Sequence, residues 1–504
     1  GFDQRYQNGF DCQGLWVEVE VEKELNFTSK HDIEDYGVGR FVEECKARVE
    51  RYAGIISEQS KRLAMWMDWD DSYHTMSDEN NYTIWSFLKR CHERGWIYEG
   101  RDTMPWCPRC GTGLSQHEIV TEGYQEITHN SVYLKFPLLD REGESLLVWT
   151  TTPWTLPSNQ AVCLHAELHY ALVRCETLQG KEIILLAKDM IEDVLTRYGA
   201  ENPEVLGEVK GAALENILLQ HPFLDKQVPL VLGEHVTTEA GTGAVHTAPD
   251  HGLDDFYVGQ NYGLGTLNLV DENGVFIAGA GEFSGAHVYK VDEMVIRTLK
   301  DKHALVTEET ITHSYAHCWR TKTPLIYRAT PQWFISMTEQ DLLGAALKAV
   351  KDVKWIPDWG QARIELMLKG SPDWCVSRQR TWGVPITMFV NKETQALHPD
   401  PPALFEEVAK RIEVSGIDAW FDLAPEELLG SDADRYEKVT DTMDVWFDSG
   451  VTHFSVMEKR DELQYPADLY LEGSDQHRGW FHLSLLPALG VTQKSPYKQL
   501  VTHG

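Results

Sequence analysis

Between Ser131 and Tyr289 the chain breaks into short runs rich in β-branched and aromatic residues, SVYLKF, SLLVWT, YALVRCE, KEIILLA and PLVLG, fenced by Gly, Pro and Asn. This block constrains the fold more than any other feature, because closely spaced runs of this kind form strands and need a sheet of their own. On either side the periodicity changes. Phe41, Cys45, Val49, Tyr52, Ile56 and Leu63 recur mostly at helical spacing, which predicts a long amphipathic helix. A second helix is expected after Asp78, through Ile84, Phe87, Leu88 and Cys91 to Gly95. Beyond Thr330 the helical strings DLLGAALKAVKDV and WFHLSLLPALG bracket the strand-like VPITMFV. The expectation is an α/β unit interrupted by a β-rich insertion, with segments 1–125, 126–320 and 321–504. One string conflicts with its surroundings. WVEVEVEKEL, from Trp16 to Leu25, alternates apolar and acidic residues at period two, which taken alone predicts a strand.

The 504 residues are enough for about three domains. No apolar run approaches the roughly 18 residues that span a bilayer, and Asp3, Arg5, Asp11, Glu18, Glu20, Glu22 and Glu24 occupy the stretch where a signal peptide needs apolar residues. Membrane attachment and secretion are therefore not expected. The nine cysteines are an odd number spread over a long chain, which favours a reduced, cytoplasmic setting over a disulfide framework. A net charge of −32 repels polyanions, so a nucleic-acid partner needs a local basic path such as the RQR string at Arg378 and Arg380, and its binding would depend strongly on salt. The start at Gly1, with no Met, suggests a piece of a longer protein.

Five strings concentrate Trp, Gly and ionisable residues: WTTTPWTLPSN (Trp149 to Asn159), GTGAVHTAPDHGLDDF (Gly241 to Phe256), PDWCVSRQRTWGVPI (Pro372 to Ile386), DVWFDSG (Asp444 to Gly450) and YLEGSDQHRGWF (Tyr470 to Phe481). Any one alone reads equally well as core with a polar edge; five together point to sites. Cys107 and Cys110, in CPRC, have the spacing of half a zinc knuckle.

In their order these strings resemble the class I aminoacyl-tRNA synthetases of the isoleucyl type, and the resemblance runs end to end. It implies a Rossmann-like catalytic domain, residues 1–125 and 321–504, split by a β-rich editing domain at 126–320. It also implies that GFDCQGLWVEVEVEKEL is a loop entering a helix, against the period-two pattern. The valyl relatives typically carry TTRPET where this chain has TTTPWT, so isoleucyl specificity is favoured over valyl or leucyl. The implied reaction is activation of isoleucine by ATP with Mg2+, then transfer to tRNA(Ile), by a protein acting as a monomer.

By the same resemblance Asp11 pairs with the α-ammonium, Gln476 assists it, and Trp446 and Trp480 wall the side-chain pocket. Gly473 admits the nucleotide backbone, Asp475 accepts from the ribose hydroxyls, and Glu472 lies near the substrate. The family's HIGH motif is expected upstream of Gly1 and its KMSKS loop beyond VTHG, so this chain is expected to be an internal fragment with little activation activity of its own. In the insertion Thr150, Thr151, Thr152, Trp154, Asn159, His246 and Asp255 form the implied editing site, with Asp255 on the ammonium of valine and a positioned water as nucleophile. Asp250 departs from the family, which more often has Gly there. Where metal-binding relatives have CWRC this chain has Cys318-Trp319-Arg320-Thr321, leaving Cys107, Cys110 and Cys318 with His317 or His313 as a zinc set, or a knuckle without metal. His165 and His169 read as surface residues. A free-standing deacylase of mischarged tRNA and a non-catalytic tRNA-binding remnant are the competing readings, and the adenylate-type string EGSDQHRGW speaks against both.

Overall fold

The chain divides into two compact units, residues 1–100 with 331–504 and residues 101–330, in a computed structural model that describes residues 5–114, 119, 123–177, 180–371, 373–394 and 396–504. Asp3 and Pro372 lie outside the described residues. Both crossings fall inside strands, Ile97–Cys107 going out and Ile326–Ile335 returning. The sequence boundaries at 125 and 320 divide the CPRC string from the insertion. In the structure Cys107, Cys110 and Cys318 all belong to the second unit and gather at one point.

In the first unit the strands Lys354–Ile356, Gln499–His503 and Tyr470–Gly473 form a parallel sheet in that order. Strand Tyr470–Gly473 runs through a short turn, Ser474–His477, into helix Trp480–Thr492, giving the strand–turn–helix unit of a Rossmann-like fold. That helix is buried from Phe481 to Gly490, which explains why its sequence is apolar all round. Gly450 makes this packing possible, since a Cβ there would lie 2.4 Å from the Leu483 carbonyl oxygen. A separate parallel pair, Gln7–Phe10 with Asp68–His74, ends at Asp11.

Both long helices appear close to their expected bounds, Val38–Arg62 and Asp78–Glu93, the second capped by the Ser77 hydroxyl on the Asn80 N–H. WVEVEVEKEL is helical, within Leu15–Leu25, so the period-two expectation is overturned. Leu15, Glu18, Val19 and Glu22 are buried at helical spacing. Glu18 is inside because its Oε2 accepts the backbone N–H groups of Thr381 and Trp382 at 2.9 and 2.7 Å. VPITMFV contributes only its last two residues to a strand, Phe389–Asn391.

The second unit is built on a ten-stranded mixed sheet. SVYLKF, SLLVWT, YALVRCE, KEIILLA and PLVL all lie in its strands. The expected β-rich block nevertheless stops early, for after strand Ala244–Thr247 the chain turns to helices Leu253–Asn261 and Asp292–Asp301 before strand Leu305–Ala316. Strand Ala244–Thr247 sits between Glu144–Thr150 and Ala161–Leu164, with Val245 opposite both Trp149 and Cys163 and His246 opposite Val162. Two strings almost a hundred residues apart in sequence thereby become neighbours. No helix among the described residues is long and apolar enough to cross a membrane.

Candidate functional site

In the first unit the candidate residues meet where strands end and helices begin. Asp11 follows strand Gln7–Phe10 and receives the Thr75 hydroxyl at 3.4 Å. It is reached by solvent, yet protein surrounds it closely enough that lost hydration pushes its carboxyl up to about 6, with hydrogen bonds from Thr75 and Ser449 pulling it back. The carbonyl of the same Ser449 accepts from Trp480 Nε1 at 3.1 Å, and the Trp480 ring stacks on Tyr470 with centroids 4.0 Å apart. Trp446 stands at Gly479, where a Cβ would come within 2.8 Å of its ring and 2.4 Å of Gln476 Oε1. Asp11, Trp446, Gln476 and Trp480 are thus joined through Ser449 and Gly479.

Gln476 Oε1 accepts the Trp480 N–H at 2.8 Å and its Nε2 donates to Asp475 at 3.1 Å, so it closes the start of the helix. Glu472, Gly473 and Asp475 lie at the carboxyl end of strand Tyr470–Gly473, with Glu472 accepting the Gly473 N–H at 3.1 Å. This is where open parallel sheets bind ligands. Asp448 was not singled out by sequence, although it lies within the DVWFDSG string. It is buried, Oδ1 has no hydrogen-bond partner, and burial first, then Asp11 and Asp444, push it well above the ordinary carboxyl range. An arriving ammonium would relieve this crowding of like charge.

The RQR expectation fails. Arg378 and Arg380 are buried. Arg378 pairs with Asp444 at 3.2 Å and donates to the Cys375 and Ser377 carbonyls at 3.0 and 2.8 Å, so its charge is committed to the interior and offers no surface path for a polyanion. A surface hollow of about 460 Å³, lined by residues that include Lys410, Arg411, Val414 and Glu427, holds none of the candidate residues.

In the second unit Thr150 ends strand Glu144–Thr150 and the buried turn Pro153–Ser158 follows. Thr150 and Thr152 hydroxyls are 3.3 Å apart, Thr152 and Thr155 hydroxyls 3.4 Å, and Thr155 Oγ1 is 2.7 Å from His246 Nε2. Asn159 Nδ2 lies 3.3 Å from His246 Nδ1. Burial drives His246 down to about 3, so it is neutral. Asp255, in the first turn of helix Leu253–Asn261, accepts the Ala248 N–H at 2.9 Å just past the strand that carries His246, and burial raises its carboxyl to about 7. Thr151 is half-buried beside these. Trp154 is buried with its ring 4.8 Å from His251, while Thr155, Ser158, His221 and His251 join the network although sequence did not select them. Asp250 is buried too; its Oδ2 accepts the Leu267 N–H and burial lifts it to about 6.

The Sγ atoms of Cys107, Cys110 and Cys318 lie within 4.8 Å of one another, all buried. A tetrahedral zinc with Zn–S near 2.3 Å sets sulfurs about 3.8 Å apart, so the three fit a metal. Hydrogen bonds from Cys107 and Cys110 hold the Cys318 thiol down, while Cys107 and Cys318 push Cys110 up. Neither expected histidine joins them: His313 pairs with His129, and His317 Nδ1 is 2.8 Å from the Tyr315 carbonyl. Thr321 Oγ1 lies 3.6 Å from Cys107 Sγ.

A family model described as tRNA synthetases class I (I, L, M and V) matches residues 1–504. The chain is 52% identical to an isoleucine–tRNA ligase of Marinomonas sp. (strain MWYL1), 51% to that of Teredinibacter turnerae and 50% to that of Thioalkalivibrio sulfidiphilus. Each alignment covers 100% of this chain and 54% of the relative, so the chain spans about half the length of the curated relatives it matches. A solved leucyl enzyme of Agrobacterium radiobacter K84, in a ternary complex with tRNA, aligns with a TM-score of 0.36 and 15% identity over 99% of this chain and 59% of its own; that likeness carries no argument.

Proposed function

The chain belongs to the class I tRNA synthetases of the I, L, M and V group, and from that membership we propose that it supplies the amino-acid site and the editing site of an isoleucine–tRNA ligase. One observation carries the reading: Asp11, Trp446, Gln476 and Trp480, each assigned separately by resemblance, lie together where the parallel strands Gln7–Phe10 and Tyr470–Gly473, of two different sheets, end. The Asp11 carboxylate would hold the α-ammonium, and the buried Asp448 carboxyl, raised by burial and by Asp11, would lend negative charge only once that cation has arrived. Flat Trp446 and Trp480 would shape an apolar slot for the branched side chain. ATP, with Mg2+, would enter as substrate over Gly473, its ribose hydroxyls donating to Asp475. tRNA(Ile) is the partner that receives the acyl group, and a cytoplasmic monomer is the expected state.

Isoleucine and valine differ by one methylene, for which this family is the standard case, and binding alone separates them only about a hundredfold. We assign the correction to the second unit. There the threonine hydroxyls would orient the ester and a water, and Asp255 would hold the ammonium of valine; its raised value falls once that cation pairs with it. Cys107, Cys110 and Cys318 would hold a structural zinc, with no part in the chemistry.

Calorimetric titration with non-hydrolysable isoleucyl- and valyl-adenylate analogues tests the specificity, and tighter binding of the isoleucyl compound is expected. Equal affinities, or preference for the valyl compound, contradict it. Metal analysis should find about one zinc per chain, lost on Cys107→Ser with Cys110→Ser; zinc that survives the pair lies elsewhere.

A further inference from the structure

Three histidines from three separate segments of the second unit converge on one turn. The turn is Pro153–Ser158, buried at every position and directly following Thr150–Thr152. His246, on strand Ala244–Thr247, meets Thr155 Oγ1 through Nε2 at 2.7 Å and Asn159 Nδ2 through Nδ1 at 3.3 Å. His221, just after strand Leu218–Gln220, meets the Leu156 carbonyl through Nε2 at 3.1 Å, while its Nδ1 accepts the Phe223 and Leu224 N–H groups at 3.3 and 3.0 Å. His251, ahead of helix Leu253–Asn261, meets Ser158 Oγ through Nε2 at 3.0 Å and the Tyr327 carbonyl through Nδ1 at 2.9 Å.

The partners fix the tautomers. A carbonyl can only accept, so His221 carries its proton on Nε2 and His251 carries its proton on Nδ1, leaving the other nitrogen of each to accept. Asn159 Nδ2 also donates to the Ala161 carbonyl at 2.7 Å, which sets the orientation of its amide. His246 Nδ1 is then an acceptor, and Nε2–H donates to Thr155 Oγ1, whose proton goes to the Thr152 carbonyl at 2.8 Å. All six ring nitrogens have protein partners. Burial holds the three rings neutral, at about 4, 3 and 4 for His221, His246 and His251. A neutral imidazole with one donor and one acceptor in a rigid plane behaves as a two-ended strut.

We propose that His221, His246 and His251 form a cradle of positioning residues that holds the Thr155–Ser158 turn and, through Thr152, sets the threonine hydroxyls, with His221 and His251 acting without touching substrate. The role rests on the editing reading of this unit; the cradle itself does not. None of the three works as a general base, because no ring nitrogen is free to take a proton from water.

Long-range nitrogen–proton NMR of the imidazoles in the 504-residue chain at pH 6 reads the cradle without substrate. Three neutral rings are expected, His221 and His246 protonated on Nε2 and His251 on Nδ1; charged rings or averaged tautomers overturn the proposal. Single-turnover hydrolysis of valyl-tRNA reads its effect. His251→Ala and His221→Ala should each lower the rate about tenfold with half-saturation little changed. His251→Gln, whose amide oxygen can accept from Ser158, and His221→Gln, whose amide nitrogen can donate to Leu156, should recover most of the loss. Alanine variants at the unmutated rate, or variants that raise half-saturation alone, overturn the positioning role. Should the unmutated chain fail to hydrolyse valyl-tRNA while the NMR pattern holds, the editing reading falls and the cradle stands.

Discussion

The two groups of candidate residues are held in place by opposite means. In the first unit the polar interior carries charge, with Arg378 locked to Asp444 at 3.2 Å and Glu18 taking two backbone N–H groups, while the Asp448 carboxyl, raised by burial and by Asp11, stands with one oxygen unpartnered. In the second unit the hydroxyls of Thr150, Thr152 and Thr155, the Asn159 Nδ2 group and neutral His246 form one uncharged hydrogen-bonded chain, with the buried Asn159 Oδ1 left without a partner, neutral His221 and His251 bond to Leu156 and Ser158, and Asp255 is the carboxyl at their margin. A site that must capture a cation keeps negative charge in reserve and tolerates its repulsion. A site that must place a neutral ester and a water instead fixes dipoles, because geometry decides that rate.

If this contrast is right, cutting a charged link should hurt more than cutting a neutral one. Arg378→Ala leaves Asp444 buried and unpaired and should destabilise the first unit by about 3–5 kcal/mol in denaturant titration. Thr155→Val, which removes a neutral hydroxyl from the network, should cost about 1–3 kcal/mol. Equal losses would erase the distinction. Next in size, Asp11→Ala should weaken binding of the isoleucyl-adenylate analogue about a hundredfold, the loss expected when a desolvated ammonium is left without its carboxylate; affinity within threefold of the unmutated chain removes Asp11 from that role.

A smaller effect sharpens the comparison through pH. Asp255 has its folded value raised to about 7, so the folded state binds a proton more tightly than the unfolded chain, and stability falls as pH rises from about 4 to about 7. Asp255→Asn lacks that loss. The variant should be more stable by about 2 kcal/mol at pH 8, with the advantage gone near pH 4. An advantage that is flat with pH would mean that the carboxyl does not titrate there.

Much of this was legible because strings such as WTTTPWTLPSN and EGSDQHRGW keep their site residues together in sequence. What stayed hidden lies in contacts between distant segments. The period-two pattern of WVEVEVEKEL misleads because Glu18 and Glu22 lie on the buried face, and only the backbone of Thr381 and Trp382 explains why a carboxylate belongs there. Arg378 looks like a surface cation until Asp444 is beside it. His221 and His251 look ordinary because their partners, Leu156 and Ser158, lie far off along the chain. The CPRC half-knuckle was visible, but not that His317 Nδ1 is taken by the Tyr315 carbonyl and that the three thiols cluster without it.

The central claim is that amino-acid capture and correction are carried by separate residues in the two units. Single-turnover hydrolysis of valyl-tRNA and isoleucyl-tRNA by the unmutated chain, Asp11→Ala and Asp255→Ala tests it most directly. The account predicts that the unmutated chain and Asp11→Ala clear valyl-tRNA at the same rate and much faster than isoleucyl-tRNA, whereas Asp255→Ala loses about a hundredfold on the valyl substrate. Hydrolysis by Asp255→Ala at the unmutated rate, or its loss in Asp11→Ala, would contradict the account.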